Sequence, residues 1–129
     1  DDHGFLTHVA RTLLPHGLVV ISVPAHPMLF TEWDRQLGHY RRYTASTLNN
    51  LVKSAGLRPL WYSHMWSFLL PAIPIRFLKT KRYQENMEFE PVSPAINGTL
   101  KTLSRWECLV PRFIRPPFGT SLILVAKKV

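Results

Sequence analysis

Apolar residues recur at Phe5, Leu6, Val9, Ala10, Leu13 and Leu14, the spacing of one helix face, and Pro15, His16 and Gly17 stop the run. Asp1 and Asp2 carry the charge that a helix start favours, so the pattern predicts an amino-terminal helix. The next seven residues, Leu18 to Pro24 (LVVISVP), are apolar at almost every position and rich in β-branched side chains. Such continuity predicts a strand covered on both faces, the habit of a parallel sheet. Thr44 can cap a second helix, in which Leu48, Leu51, Val52 and Ala55 form one stripe and Gly56 is placed to end it in the left-handed conformation.

Leu57 to about Trp66 reads as an aromatic-rich strand with Pro59 near its start. Residues 79–94 are polar and charged, which predicts a flexible excursion. Ser93 and Pro94 resemble a helix entrance, and Ile96, Leu100, Leu103 and Trp106 share one side, predicting a helical insertion over 95–110. After a corner at RPPFG, 115–119, residues 120–128 (TSLILVAKK) form a third strand. The order implies an α/β fold, with a right-handed crossover from the first strand onto a mostly parallel sheet and the last two strands pairing antiparallel. Three strands make an undersized sheet, however, and Leu18 to Pro24 wants neighbours and covering layers that this chain does not supply.

Composition narrows the class of partner. A chain of 129 residues with 46% hydrophobic content reads as one globular domain. Sixteen Lys and Arg against eight Asp and Glu give a net charge of +8, which attracts phosphates, acidic substrates or anionic lipid heads. The single cysteine, Cys108, excludes an internal disulfide and a Cys-rich zinc site, fits a reducing, cytoplasmic setting, and reads as a small core hydrophobe. The acidic opening, broken at Pro15, is no secretory signal. The stretch Trp61 to Phe77 holds His64, Pro71, Pro74 and Arg76, so it is too broken for a membrane span of about 20 apolar residues. It reads as a core strand leading into a lid helix; with Arg76, Lys79, Lys81 and Arg82 beside it, peripheral contact with a membrane surface is the alternative. The six histidines show no metal-ligand spacing, and no phosphate-cradling glycine loop is present.

Three stretches resemble a known family. LLPHGLVVISVPA (13–25) looks like the approach to the fifth strand of class I S-adenosylmethionine-dependent methyltransferases, with His16 in place of the first glycine of a Pro-Gly-Gly turn. EWDRQLGHYRRYTASTLNNLVKSAGL (32–57) is similar to the loop and helix that follow that strand in the methyltransferases of type 11 or type 23. PFGTSLILVAKK (117–128) resembles their last, antiparallel strand. The resemblance implies a partial Rossmann-like sheet comprising the last three strands, the final one antiparallel, with flanking helices. It also implies that residues 1–129 are a single partial domain, the carboxyl-terminal half of a methyltransferase. The glycine-rich turn and acidic residue that hold the cofactor are missing from this stretch, so S-adenosyl-L-methionine would be bound only in the full-length protein. The function implied is the acceptor-binding half of a methyltransferase for a small-molecule or lipid-linked acceptor, inactive alone.

In that reading the loop from Ala25 to Tyr43 is the acceptor side, because ligands bind open α/β sheets at the carboxyl ends of their strands. His39 and His26, with reference pKa values near 6.5, are candidate catalytic bases, or else hydrogen-bond the loop backbone. Asp34 is a third catalytic candidate, able to orient such a histidine or to pair structurally with Arg35, Arg41 or Arg42. Arg41 and Arg42 offer forked donors for a carboxylate or phosphate, or form a solvated basic face. Phe30, Trp33, Tyr40 and Tyr43 could wall an acceptor pocket or belong to the core. The competing class is a basic binding module that uses Arg35, Arg41, Arg42, Arg76, Lys79, Lys81 and Arg82 on an anionic membrane or nucleic acid. Nucleic acid is the less favoured partner, since no recognised binding motif is present. The uncovered strand adds self-association as a further expectation.

Overall fold

A computed structural model describes residues 1–74, 92–109 and 116–129. The excursion expected at 79–94 therefore lies outside the described residues as far as position 91, as do Arg76, Lys79, Lys81 and Arg82. Helix α1 (Asp2–Thr12) begins where Asp1 accepts a hydrogen bond from the Gly4 amide, and it buries Leu6 and Ala10. The chain then turns through His16, whose φ of 64° is a conformation that glycine adopts without strain. The departure from Pro-Gly-Gly thus falls at a position where a glycine would sit more comfortably.

Strand β1 (Leu18–Pro24) has the expected limits. A short helix α2 (Glu32–Gln36) lies in the following loop, and α3 (Ala45–Ser54) starts at Thr44, whose hydroxyl accepts from the Thr47 amide. Gly56, at φ 81°, ends α3 in the left-handed conformation and feeds β2 (Leu57–Met65). Two 3-10 turns (Pro27–Leu29 and Ser67–Ala72), helix α4 (Pro94–Leu109) and the last strand β3 (Ser121–Lys128) complete the described elements.

The sheet has the order β1-β3-β2, with β3 antiparallel to both neighbours. β1 and β2 therefore run in the same direction, linked through α3, but the last strand lies between them. The expectation of a mostly parallel sheet is corrected: among the described strands every adjacent pair is antiparallel. The antiparallel final strand and its pairing with β2 agree with the sequence reading.

Side chains alternate across a strand, so each strand shows two faces. Leu122, Leu124 and Ala126 of β3 join Leu6, Ala10, Leu48, Val52, Ala55 and Leu57 in the core, with Val19, Ile21 and Val23 of β1 packed against them. The other face of β1 is bare: Leu18 is 60% and Val20 66% exposed. The strand expected to need cover on both faces thus receives it on one, and pairs along only one edge within the described residues. In α4 the inward residue is Glu107, whereas Trp106, expected on the apolar stripe, is mostly exposed. Cys108 is exposed too, which corrects its assignment to the core.

Candidate functional site

Because β3 runs against both neighbours, Pro24 of β1 and Met65 of β2 each lie opposite Ser121. The carboxyl ends of β1 and β2 and the amino end of β3 therefore meet at one place. Here the loop after β1 is closed at its base by a parallel bridge between Ala25 and Tyr43. The Tyr43 amide donates to the Pro24 carbonyl (2.8 Å), the His26 amide to the Tyr43 carbonyl (2.9 Å), and the Ala25 amide to the Thr120 carbonyl (2.9 Å).

Inside the loop Asp34 is fully buried. Its Oδ2 accepts from the Thr31 amide (2.9 Å) and hydroxyl (3.2 Å), which closes the start of α2. Its Oδ1 lies 2.8 Å from Arg42 Nη2 and 3.6 Å from His39 Nδ1. Burial would raise the carboxyl pKa, but the Thr31 amide and Arg42 outweigh it and hold Asp34 below the usual carboxylate range. Arg42 also donates from Nη1 to the carbonyls of Ala25 (3.0 Å) and Thr120 (3.4 Å). Its guanidinium thus joins the loop to the ends of two strands, and the Asp34–Arg42 pairing weighed from the sequence is present.

The remaining candidates lie around this pair. Gly38, at φ 75°, turns the chain out of α2. The His39 side chain is 42% exposed and Tyr40 91% exposed. Arg41 points away from Arg42 and meets Asp2 at 3.2 Å. Tyr43 donates its hydroxyl to the same Asp2 carboxylate; burial and that carboxylate push its pKa up to about 12, against a smaller opposing effect of Arg41. Phe30 lies beneath the Arg35 guanidinium, 5.8 Å from ring centre, and Arg35 also meets Glu32 at 2.9 Å. Trp33 is half-buried.

His26 is apart from that group. It leaves β1 at φ 61° and stacks on His64, with ring centres 5.2 Å apart and planes within 5°. Its pKa is lowered, first by burial and then by His64 and Arg42, with a Gly119 backbone hydrogen bond opposing.

Two residues of this region escaped the sequence reading, His64 and Glu107. Glu107 reaches from α4 to accept the amides of Trp66 (2.6 Å) and Ser67 (2.5 Å), where the chain leaves β2 at a Trp66 φ of 63°. The available signal was an acidic residue on the stripe of Ile96, Leu100 and Leu103. Glu107→Ala is expected to cost about 2–3 kcal/mol, since it removes a charged acceptor from two backbone donors. Amide exchange at Trp66 and Ser67 should accelerate in parallel, and Glu107→Gln should lose less. Unchanged exchange at both amides would contradict this anchoring role.

No family model matches the sequence, and no curated protein matches it. Among solved structures, the chain is similar to a candidate sarcosine dimethylglycine methyltransferase from Galdieria sulphuraria at 15% identity and a TM-score of 0.49, covering 99% of this chain and 48% of that one. It is also similar to phosphoethanolamine N-methyltransferase 2 of Haemonchus contortus, in complex with S-adenosyl-L-methionine, at 14% identity and a TM-score of 0.49, covering 99% of this chain and 30% of that one. The chain thus spans less than half the length of either structure.

Proposed function

We propose that these residues are the acceptor-binding half of an S-adenosylmethionine-dependent methyltransferase that acts on a small-molecule or lipid-linked acceptor, and that they are inactive alone. The observation that carries this reading is the loop 25–43, closed at its base at the carboxyl end of β1. That is where open α/β sheets bind ligands, and the loop bears the residues of the sequence resemblance. The described strands do not fit the cofactor, since none ends in a glycine-rich turn followed by an acidic residue.

Transfer of a methyl group is an in-line displacement, in which holding the acceptor in place supplies much of the rate, and a base is needed when the acceptor is a hydroxyl or an ammonium. His39 suits the second task because its ring is partly exposed while Nδ1 faces the buried Asp34 carboxylate, which can hold the ring's orientation. Tyr40, Arg41, Trp33 and Phe30 belong to the same loop and would wall the acceptor. Arg42 and Asp34 act behind them as positioning residues, because they pair with each other and hold the loop backbone.

The competing reading, a basic module for an anionic surface, loses support at the three of its cations that lie among the described residues. Arg35 meets Glu32, Arg41 meets Asp2, and the Arg42 side chain is 6% exposed against Asp34. Titration calorimetry with S-adenosyl-L-methionine separates the possibilities. The 129-residue chain is expected to give no saturable heat and the full product of its gene to bind. Saturable binding by the 129 residues alone would overturn the half-domain reading.

A further inference from the structure

His26 and His64 come from different elements and meet where the two parallel-running strands end. His64 is 8% exposed, and its Nδ1 lies 3.2 Å from the Pro116 carbonyl. A carbonyl only accepts, so Nδ1 of His64 bears the hydrogen and its Nε2 keeps the lone pair when the ring is neutral. The Nε2 of His26 is buried with no hydrogen-bond partner among the described residues. Phe118 closes another side of the His26 ring, 6.0 Å away. Around the stack stand Arg42 from the loop and, through it, the Asp34 carboxylate of α2; Glu107 of α4 is engaged two residues beyond His64 by the Trp66 amide.

We propose that the stacked rings of His26 and His64 form one proton-accepting unit that takes up a single proton between them. Two imidazolium rings face to face at this separation would repel each other, and Arg42, whose charge acts on His26, has the same sign. The Asp34 carboxylate that meets the guanidinium is already neutralised by it. The Gly119 backbone hydrogen bond favours one proton on His26, but a second proton on the pair would face both the first and Arg42, and the first must enter a site that holds an unpartnered lone pair or an unpartnered N–H. The backbone at His26 and Trp66 is held at positive φ just after each strand, as expected where surrounding structure fixes a functional side chain against local preference. The proposal stands whether or not the chain's reaction is methyl transfer, because it concerns proton binding by these residues.

Proton linkage follows in a definite direction. A base whose pKa is lowered on folding stabilises the fold fully above its unfolded value, near 6.5, and loses that contribution as pH falls through the interval between the unfolded and folded values. The test is a histidine-resolved NMR titration of this 129-residue chain between pH 8 and 4, compared with the variants His64→Phe and His26→Asn. Phenylalanine keeps a stacked ring without a second proton site, and asparagine tolerates positive φ. The expected result is a His26 midpoint below 6.5 in the natural sequence, raised severalfold in proton affinity by His64→Phe, together with a fold less stable at pH 5.5 than at 7.5. That stability difference should shrink in His26→Asn. If His64→Phe fails to fold, the shape of the wild-type curves decides, since coupled rings titrate in steps that belong to the pair. Simple independent curves for the two rings, or a His26 midpoint unmoved by His64→Phe, would overturn the proposal.

Discussion

Arg42→Ala is expected to destabilise the protein by about 3–5 kcal/mol, the range for stripping one partner from a buried ion pair, with a fall of about 10 °C or more in Tm. The side chains of Arg42 and Asp34 are 6% and 1% exposed, so the remaining carboxylate would stay buried and uncompensated. The same substitution also takes the donor from the Ala25 and Thr120 carbonyls, where the loop meets β1 and β3. Arg42→Lys should recover only part of the loss, because one ammonium cannot reproduce a planar fork shared by three acceptors. The pH dependence identifies the cause. In the natural sequence the stability linked to Asp34 is present above its unfolded pKa, near 3.9, and is lost as pH falls through the lowered folded value. With Arg42 gone, only the Thr31 hydrogen bonds still oppose burial, so the Asp34 pKa rises from its value in the natural sequence, protonation relieves the variant, and its deficit should be smaller at pH 4 than at pH 7. Chemical denaturation at the two pH values reads both quantities. A deficit below about 1 kcal/mol would mean that Arg42 is not the joint described here.

Local features of the fold were legible because local chemistry dictates them. Thr44 and Gly56 bracket α3 through a cap hydrogen bond and a left-handed turn, and both operate within a few residues. The limits of β1 followed from a run that is apolar at every position but Ser22. The strand order was not legible, since the place of β3 between β1 and β2 depends on pairing across the whole chain. Arg41 and Arg42 look interchangeable in the sequence, yet one faces Asp2 and the other enters the loop. Neighbours on an extended segment point to opposite sides, so their fates separate only once the Ala25–Tyr43 bridge fixes which side is inward. Glu107 and Cys108 mislead for a related reason. α4 meets the body through a carboxylate, so hydrophobicity gave the wrong inward set, and a cysteine one residue further faces water.

Gly119→Ala is the second substitution expected to have a large effect. A Cβ at this position would lie 2.3 Å from the Met65 carbonyl oxygen and 2.9 Å from the Met65 carbonyl carbon and amide nitrogen. Every one of these atoms is backbone, so no side chain can rotate away, and relief requires β2 and the approach to β3 to separate near the Met65–Ser121 pair. Overpacking of this kind costs about 3 kcal/mol or more where the neighbours cannot yield. Gly98→Ala provides the control: it lies within α4 with nothing within 4 Å of the added carbon, and alanine there should stabilise by up to about 1 kcal/mol. The location of the Gly119 clash also bears on the candidate site. The same strand ends hold His26, through the Gly119 backbone, and Arg42, through Thr120, so separating them should disturb the stacked rings and the loop base together. Gly119→Ala is therefore expected to raise amide exchange at Met65 and at Ala25 and His26 alike, along with its loss of Tm. Damage confined to Met65 would show that the loop keeps its shape without the close approach of β3, and that the guanidinium alone fixes the geometry at the carboxyl end of β1.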